Sequence, residues 1–321
     1  MHRVLITGIA GFVGSHLAES LCKKAEVWGT YIGDDLSNLE GVEGLNLVEC
    51  DLLDNDKVRS LVSEVRPERV FHLAAQSIPS VSFSNPARTL QVNIFATLNL
   101  FEAIVDLAPG ATVLNIGSGD EYGEVDPALL PVKETAELKP INPYAVSKVT
   151  QDLLAFQYNK SKGLKAVRCR PFNHYGPRQS EIFVCSAFAR QVAEIEAGIQ
   201  KERLIKVGNL DAAKDFLYVG DVVRAYELLM DRGEYGSVYN VCSGHAVKIR
   251  SIVEALISFS GEKIDFAQDS DRKRPTDTVA LYGDPSRLSS LGWSPAWGLE
   301  DGLRELLDYW RKRVGTEKEK G

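Results

Sequence analysis

Cysteine, positive charge and long apolar runs are all scarce in this sequence. The 321 residues include five cysteines, and none forms a Cys-x-x-Cys pair, so neither a metal site nor a redox motif built on paired thiols is indicated. Their odd number favours a reducing compartment over a disulfide framework. There are 37 Lys and Arg against 44 Asp and Glu, a net charge of −7, whereas nucleic-acid-binding domains usually carry a basic excess.

Membrane and export signals are also missing. No run of 18 apolar residues occurs, so we expect no segment to span a bilayer. The first 14 residues have one basic residue and three glycines and would make a poor signal peptide. We therefore expect a cytoplasmic protein with neither nucleic acid nor membrane as a partner. The chain is 44% hydrophobic and 25% charged, which is ordinary for a globular protein of two domains or one large α/β domain.

Short apolar runs alternate with helical patterns over the first 170 residues. Residues 4–6 are a strand candidate, and Val13, Leu17 and Leu21 then recur at i, i+4 and i+8, which indicates a helix over 12–24. Further strands are predicted at 26–32, 45–49, 69–73, 111–116 and 164–169, and further helices at 54–65, 86–107 and 143–162. This alternation predicts a parallel sheet with helices on both faces.

The pattern is less regular in residues 171–321. Helices are expected at 184–198 and 299–314, separated by short mixed elements. We expect a smaller α/β domain, packed tightly on the first because no low-complexity linker separates them. Residues 315–321 are expected to be a frayed tail.

Three glycines lie between the first strand and the first helix. Gly8, Gly11 and Gly14 are spaced as Gly-x-x-Gly-x-x-Gly. In a dinucleotide-binding loop the first glycine permits a tight turn, the second lets the backbone approach the pyrophosphate, and the third lets the helix pack closely on the sheet. The phosphates then meet the free N–H groups of the helix N-terminus. The alternative is a glycine-rich turn that binds no ligand.

The end of the second strand normally selects between NAD and NADP. An acid there binds the ribose 2′-hydroxyl of NAD, whereas a basic residue accepts the 2′-phosphate of NADP. The expected position falls near Tyr31 or Ile32, which are uncharged, and Asp34 and Asp35 either reach the ribose or form a solvated turn. The choice therefore stays open, with NADP slightly favoured by the absence of an acid at Tyr31.

Asp51 and Leu52 follow the third predicted strand. An Asp at this position can accept a hydrogen bond from the adenine amino group. The alternative is that the acid caps the helix that begins near Asp54.

Ser118, Tyr144 and Lys148 form a candidate catalytic group. Tyr144 and Lys148 are four residues apart, so they share one face of a helix, and Ser118 ends a strand expected beside the glycine loop. A free tyrosine has a pKa of about 10. We expect the Lys148 ammonium to favour the phenolate and so lower the pKa of Tyr144. Tyr144 would then act as a general acid or base, with Ser118 holding the reacting oxygen.

These motifs together resemble the extended short-chain dehydrogenase/reductase family that acts on sugar nucleotides. The matching residues span nearly the whole chain: Gly8, Gly11 and Gly14; Asp51-Leu52; His72-Leu73-Ala74-Ala75; Asn93; Ser118 with Tyr122-Gly123; Tyr144 and Lys148; and Arg170-Pro171-Phe172-Asn173-His174-Tyr175-Gly176-Pro177. Within that family, several stretches are similar to GDP-4-keto-6-deoxy-mannose reductases, and the GDP-mannose 4,6-dehydratases share similar motifs.

The resemblance implies a Rossmann-type NAD(P)-binding domain over residues 1–170 and a smaller nucleotide-sugar domain over 171–321, with the chain returning to the first domain near 216–242. The cofactor residues it implies are Gly8, Gly11, Phe12, Val13, Gly14, Tyr31, Asp51, Leu52, Leu73, Ala74, Ala75, Asn93, Tyr144 and Lys148. The substrate residues it implies are Ser118, Asn173, Phe183, Val184, Lys214 and Arg274.

For two of these residues the substrate-binding role is not the only interpretation. Lys214 stands where relatives usually have arginine, and lysine is a point charge without the bidentate fork of a guanidinium. Arg274 would neutralise a diphosphate, or it is a solvated charge within the run 272–274.

Asp120 bears on which reaction occurs. The resemblance aligns it with the glutamate by which dehydratases remove the C5 proton, while epimerases typically have a small apolar residue there. A side chain one methylene shorter misplaces a base by about 1 Å, which can cost about 10²-fold. Alternatively, Asp120 and Glu121 only orient the loop before Tyr122.

The leading hypothesis is a reductase that transfers hydride to the C4 ketone of a GDP-linked 4-keto-6-deoxy sugar, giving a product such as GDP-D-rhamnose, with Tyr144 as proton donor. The main alternative hypothesis is a GDP-mannose 4,6-dehydratase. Two further hypotheses are another nucleotide-sugar epimerase and a non-catalytic dinucleotide-binding protein. No metal site is predicted. A homodimer formed by the helices at 86–107 and 143–162 is expected from the resemblance.

Overall fold

The computed structural model describes residues 2–269 and 280–320. Its strands and helices, in chain order, are β1 (Arg3–Thr7), α1 (Phe12–Leu21), β2 (Glu26–Tyr31), β3 (Leu45–Glu49), α2 (Asn55–Val65), β4 (Arg69–His72), α3 (Pro79–Ser84), α4 (Pro86–Leu90), a π turn (Gln91–Phe95), α5 (Ala96–Leu107), β5 (Thr112–Ile116), α6 (Pro143–Lys162), β6 (Lys165–Pro171), β7 (Asn173–Tyr175), α7 (Val184–Glu196), β8 (Leu204–Val207), β9 (Ala213–Lys214), β10 (Phe216–Tyr218), α8 (Val219–Arg232), β11 (Val238–Val241), β12 (Val247–Lys248), α9 (Ile249–Ser258), β13 (Asp265–Gln268), β14 (Ala280–Leu281), α10 (Ser286–Ser289) and α11 (Leu299–Lys320).

A seven-stranded parallel sheet forms the centre of the molecule. Its strand order is β11-β6-β5-β4-β1-β2-β3. The strands are rich in fully buried Val, Ile and Leu, as expected of a sheet covered on both faces by helices. The order reverses between β1 and β4, and ligands of such sheets bind beyond the carboxyl ends of the strands at this point. The predicted doubly wound α/β fold is confirmed.

The second part of the chain adds small sheets and its own core. β10 pairs with β7, β9 lies between β12 and β14, and β13 pairs with β8. Helices α7, α9 and α11 enclose a second core that includes Phe188, Leu256 and Trp310. Within the segment expected to return, α8 packs Val222 and Leu229 into the first core. β11 then extends the main sheet beside β6.

The C-terminal end differs from the expectation of a frayed tail, because α11 continues through Lys320. Its one weak helix former beyond Val314 is Gly315, which costs about 1 kcal/mol relative to alanine. Packing compensates, since Val314 is buried and Lys318 donates to the carbonyl of Ala197 at the end of α7 (2.7 Å).

The helix expected at 86–107 contains the π turn of Gln91–Phe95, and α8 and α9 arise where the sequence showed only mixed elements.

By length and hydropathy, Pro86–Leu107 is the helix among the described residues that could cross a membrane. In the fold Leu100, Phe101 and Ile104 are fully buried on its inner face. It is therefore a core helix of this domain.

Candidate active site

A cavity of about 490 Å³ lies at the carboxyl ends of β1, β4 and β5. Its wall on one side comes from the central sheet and the helix α6, and on the other from the segments around β7, α7 and β9. It occupies the point where the strand order of the sheet reverses, which is where an open α/β sheet binds its ligand. The glycine loop, the Ser-Tyr-Lys group and most of the expected substrate residues open into this one cavity.

The glycine loop is built for close approach by a ligand. Gly8 has a left-handed φ of +71°, and a Cβ there would lie 3.0 Å from the Cα of Ala74. A Cβ on Gly14 would lie 2.4 Å from the carbonyl oxygen of Gly8. Gly11 directly precedes α1 as its N-cap and has no side chain to cap the first turn. The free N–H groups and the small loop fit a dinucleotide pyrophosphate at the helix N-terminus.

The end of β2 contributes Tyr31, Ile32 and Asp35 to the cavity. Asp35 accepts hydrogen bonds from the backbone N–H and the hydroxyl of Ser37 (3.0 and 2.6 Å), and these bonds lower its pKa. Asp34 and Asp35 are the two acids that the sequence offers for the ribose contact, and of these Asp35 lines the cavity.

Asp51 and Leu52 do not line the cavity. The Asp51 carboxylate accepts the backbone N–H of Leu53 (3.0 Å), and Leu52 is buried in the core between sheet and helices. The cap of α2 is Asp54, which accepts from the N–H of Lys57. The helix-cap alternative for Asp51 is therefore wrong, and its contact with the adenine amino group stays a prediction.

Asn93 also lies behind the cavity wall and not in it. Its side chain binds both backbone groups of Gln76 (2.7 and 3.1 Å) and donates to the hydroxyl of Ser147 (2.8 Å). The amide group therefore fastens the loop after β4 to helix α6. Both polar atoms of the side chain are therefore engaged within the protein.

Ser118, Tyr144 and Lys148 meet as the sequence predicted. β5 delivers Ser118 to the cavity, and α6, capped by Asn142, presents Tyr144 and Lys148 one turn apart. The Ser118 hydroxyl hydrogen-bonds the Tyr144 hydroxyl. The Lys148 ammonium donates to the carbonyl of Ile116 (2.9 Å) and lies 5.9 Å from the centre of the Tyr144 ring.

The pKa of Tyr144 moves opposite to the expectation. Burial raises it, the charge of Asp120 raises it further, and the hydrogen bond from Ser118 opposes them. The groups that shift this pKa are Asp120, Ser118 and Glu121, and Lys148 is not one of them. Burial lowers the pKa of Lys148 itself to about 8, against the opposing charge of Glu121. Tyr144 is therefore a protonated phenol at neutral pH.

Asp120 lines the cavity close enough to Tyr144 for its charge to act on the phenol. Its backbone N–H donates to the Ser118 hydroxyl oxygen (3.1 Å). Glu121, the next residue, points away from the cavity into the protein and is fully buried.

The opposite wall contains Asn173, Phe183, Val184 and Lys214, as expected from the resemblance. The Asn173 amide donates to the backbone carbonyl of Asp215 (3.1 Å). Phe183 directly precedes α7 and Val184 begins it. Arg274, the last expected substrate residue, lies outside the residues that the structure describes.

Sequence reasoning left several cavity residues out of the expected site. Gln179 and Cys185 also line this wall, together with His174 of the matched motif, and Tyr226 of α8 lines the cavity from the side of the central sheet. Gln179 donates to the carbonyl of His174 (2.7 Å) and accepts from Ser186, so it ties β7 to α7. His174 and Gln179 stand in or directly after the motif that ends at Pro177 and could have been found from it. Tyr226 could not, because α8 itself was not predicted.

Asp215 holds this wall together from behind. Its carboxylate accepts the N–H groups of Ser243, Gly244 and Gly283 and the Ser243 hydroxyl. Three segments that are distant in the chain are thus gathered beside Lys214. Burial raises the pKa of Asp215 while these hydrogen bonds oppose the shift.

Comparison with known proteins gives a consistent assignment. The model of the family described as GDP-mannose 4,6 dehydratase matches residues 5–306. The chain belongs to this family. A GDP-6-deoxy-D-mannose reductase from Pseudomonas aeruginosa is 39% identical over 316 residues, which cover 98% of this chain and 99% of that protein.

Solved structures of relatives have the same fold. RMD from Pseudomonas aeruginosa, complexed with NADPH, aligns with a TM-score of 0.85 and 37% identity over 98% of this chain and all of that one. A UDP-glucose 4-epimerase from Thermus thermophilus, in complex with NAD, gives 0.86 and 31% over 96% and 99%. The predicted extended short-chain dehydrogenase/reductase fold is confirmed, as is an NAD(P)-dependent enzyme of this family.

Proposed function

We propose that this family member reduces the C4 ketone of GDP-4-keto-6-deoxy-D-mannose with NAD(P)H, giving a GDP-6-deoxyhexose such as GDP-D-rhamnose. The observation that carries the proposal is a protonated tyrosine, Tyr144, hydrogen-bonded to Ser118 in the same cavity as the dinucleotide loop. The name of the Pseudomonas aeruginosa relative, which matches over nearly the full length of both chains, supports the choice of substrate.

Reduction of a ketone needs one hydride and one proton. The nicotinamide, when bound, supplies the hydride to C4. Tyr144 donates its phenolic proton to the C4 oxygen as negative charge develops there, and its raised pKa keeps that proton available. Ser118 donates a hydrogen bond to the same oxygen, which is a preorganised stabilisation of the developing charge. Lys148 remains protonated below about pH 8, so it contributes a positive charge to the site.

The opposite wall holds the nucleotide sugar in this proposal. Asn173 and Lys214 offer an amide and a cation to the diphosphate, and Phe183 and Val184 flank the base at the start of α7. Arg274 is proposed as a second diphosphate contact from the sequence alone. The NAD(P)H is held by the glycine loop together with Leu73, Ala74 and Ala75.

The direct test follows nicotinamide absorbance with the purified protein and GDP-4-keto-6-deoxy-D-mannose, with NADPH in one cell and NADH in another. Oxidation of either cofactor that depends on the ketosugar supports the proposal and names the cofactor. Ketosugar-independent oxidation, or none with either cofactor, contradicts it. Tyr144→Phe in the same assay controls for a contaminating reductase.

A GDP-mannose 4,6-dehydratase is the second candidate, because Asp120 places a carboxylate in the cavity, although its side chain is one methylene shorter than the glutamate of the dehydratases. The carboxylate of Asp120 lines the cavity near Tyr144, where a base for the C5 proton would act. This reaction needs no added reductant, since the cofactor is reoxidised within each turnover. Conversion of GDP-mannose by the protein with NAD(P)⁺ alone, and its loss in Asp120→Ala, would establish this activity.

We also propose that the protein forms a homodimer through α4 and α6. An apolar groove runs between these helices, and its lining residues are Pro86, Leu90, Pro140, Ile141, Asn142, Pro143 and Val146. Phe95 and Leu153, on the same helical layer, are 54% and 52% exposed. A second copy of the chain is the partner that the resemblance implies for this surface.

Sedimentation of the wild type and of the double variant Phe95→Glu/Leu153→Glu tests the dimer. The expected result is a dimer that the double variant converts to monomer. The matched control is Ile199→Glu, which changes an apolar side chain that is 47% exposed away from these helices. A monomeric wild type contradicts the proposal.

We place the reaction in the cytoplasm, where reduced nicotinamide cofactors are available, and fractionation of the source cells tests this.

A further inference from the structure

Glu121 is a fully buried carboxylate directly behind the reacting group. It lies in the 3₁₀ turn Gly119–Tyr122, three residues after Ser118, and its side chain points into the protein. One carboxylate oxygen accepts the backbone N–H of Ser118 at 2.8 Å. The other accepts from Nε of Arg170 at 2.9 Å. A Cβ added at Gly117 would lie 2.3 Å from the first oxygen, so the backbone lies directly against the carboxylate.

Arg170 connects this carboxylate to the helix that presents the proton donor. Its Nη2 donates to Asp152 at 2.6 Å. Asp152 is on α6, eight residues after Tyr144 and four after Lys148. One guanidinium on β6 therefore fixes both the turn that carries Ser118 and the helix that carries the other two residues of the group.

We propose that Glu121 is a positioning residue for ketone reduction: by holding the Ser118 backbone and binding Arg170, it sets the distance between the Ser118 hydroxyl and Tyr144. This rests on the proposed function. A displacement of about 1 Å in such a group can cost about 10²-fold in rate. Because both hydrogen bonds are buried, they are not exchanged for water as the substrate enters.

Glu121 also acts on Lys148 electrostatically. The described titratable groups whose charges interact with that of Lys148 are Glu121, Cys169 and His72. Of these, the Glu121 carboxylate supports the ammonium form against burial. Burial and the charge of Asp152 raise the pKa of Glu121 itself, and the Arg170 guanidinium opposes that shift. Removing that charge therefore lowers the pKa of Lys148, which a merely structural carboxylate elsewhere would not do.

The experiment compares Glu121→Gln and Glu121→Ala with the wild type and with Asp221→Asn. Asp221 is a matched control, since it is also fully buried, accepts two backbone N–H groups (Ala296, 2.9 Å; Trp297, 3.0 Å) and pairs with an arginine away from the cavity. Glutamine keeps an oxygen for the Ser118 N–H, whereas alanine removes it.

In Glu121→Ala we expect kcat to fall by at least about 10-fold, with the dissociation constant for NAD(P)H, measured by fluorescence, within about twofold of the wild type. Glu121→Gln should recover part of that kcat, and the alkaline limb of its pH profile should move to lower pH. Hydrogen exchange of the peptide containing residues 117–122 should accelerate in the alanine variant alone. Asp221→Asn should change thermal stability without any of these effects.

The proposal is overturned if both Glu121 variants keep the wild-type kcat and pH profile, or if their losses match those of Asp221→Asn. If the alanine variant does not fold, the glutamine variant decides by its pH profile. If the wild type itself turns over no ketosugar, the proposed function fails. Hydrogen exchange still reports whether Glu121 holds Ser118, because it needs no substrate.

Discussion

The wall of the cavity that belongs to the central sheet is made largely of backbone, whereas the opposite wall is made of side chains from scattered segments. On the sheet side, Gly8, Gly11 and Gly14 keep side chains out of seven consecutive residues that lead into the N-terminus of α1. On the other side, Asn173 and Lys214 are brought together through contacts to Asp215 and its neighbours.

Because one wall is mainly backbone and the other mainly side chains, the two walls can recognise different ligands. Backbone N–H groups at a helix N-terminus bind any phosphate of the right shape, so the sheet side suits a cofactor shared by many enzymes. Side chains of different chemistry select one sugar nucleotide. Substitutions in the sheet wall should therefore damage cofactor binding or chemistry, and substitutions in the opposite wall should damage substrate binding.

The largest expected effect is that of Tyr144→Phe, which removes the proton donor from the sheet side and nothing else. We expect kcat to fall by at least about 10²-fold, the lower range for a positioned proton donor. Steady-state kinetics with the ketosugar measures this, and fluorescence titration should show unchanged NAD(P)H affinity. Near wild-type turnover would remove Tyr144 from the reaction.

Gly14→Ala tests the cofactor half alone. Its new Cβ would meet the Gly8 carbonyl oxygen at 2.4 Å, so the loop must shift. Overpacking typically costs about 1–3 kcal/mol, and if that cost falls on cofactor binding the dissociation constant for NAD(P)H rises about 5- to 150-fold. Titration of cofactor fluorescence measures it. Gly110→Ala is the control, because nothing lies within 4 Å of its added Cβ.

Asp215→Asn tests the substrate half. The amide cannot accept from all four donors that the carboxylate binds, and each buried group left unsatisfied costs about 1–3 kcal/mol. We expect KM for the ketosugar to rise about 10-fold while NAD(P)H affinity stays unchanged. An equal loss of cofactor affinity would show that the two walls are not separable in this way.

The smallest expected effect concerns pH. Because burial lowers the pKa of Lys148 to about 8, its ammonium loses its proton as the pH rises through that value. Tyr144 remains protonated there, since its pKa is raised. We expect kcat/KM to decline above about pH 8, by a few-fold in the first unit. A profile that stays flat through the alkaline range would mean that the charge of Lys148 is not needed.

The residues that could be predicted from the sequence lie mainly in the wall formed by the central sheet and α6. The glycine loop and the pair Tyr144 and Lys148 could be found from the sequence because each is local: a strand, a turn and a helix, or one helical turn. Asp215 could not be found, because its partners are distant in the chain and only the folded structure brings them together. The direction of the Tyr144 pKa shift also required the structure, since burial and the charge of Asp120 raise it and the Ser118 hydrogen bond opposes them.

Asn93 shows the limit of a motif carried over residue by residue. The resemblance placed it with the cofactor, whereas both polar atoms of its amide group are engaged by Gln76 and Ser147 behind the cavity wall. The tail of α11 shows another limit, because Lys318 binds a carbonyl of α7 that no local pattern could indicate. Both outcomes depend on which distant backbone atoms lie nearby.

The return of the chain through α8 and β11 has a consequence for how such an enzyme can change. A fragment that ends at residue 170 would lack the outermost strand of its own sheet and the helix that covers it. The half that selects the sugar therefore cannot be exchanged as a cassette by recombination at a single junction. A change of sugar preference by recombination would need further junctions on either side of the segment that contains α8 and β11.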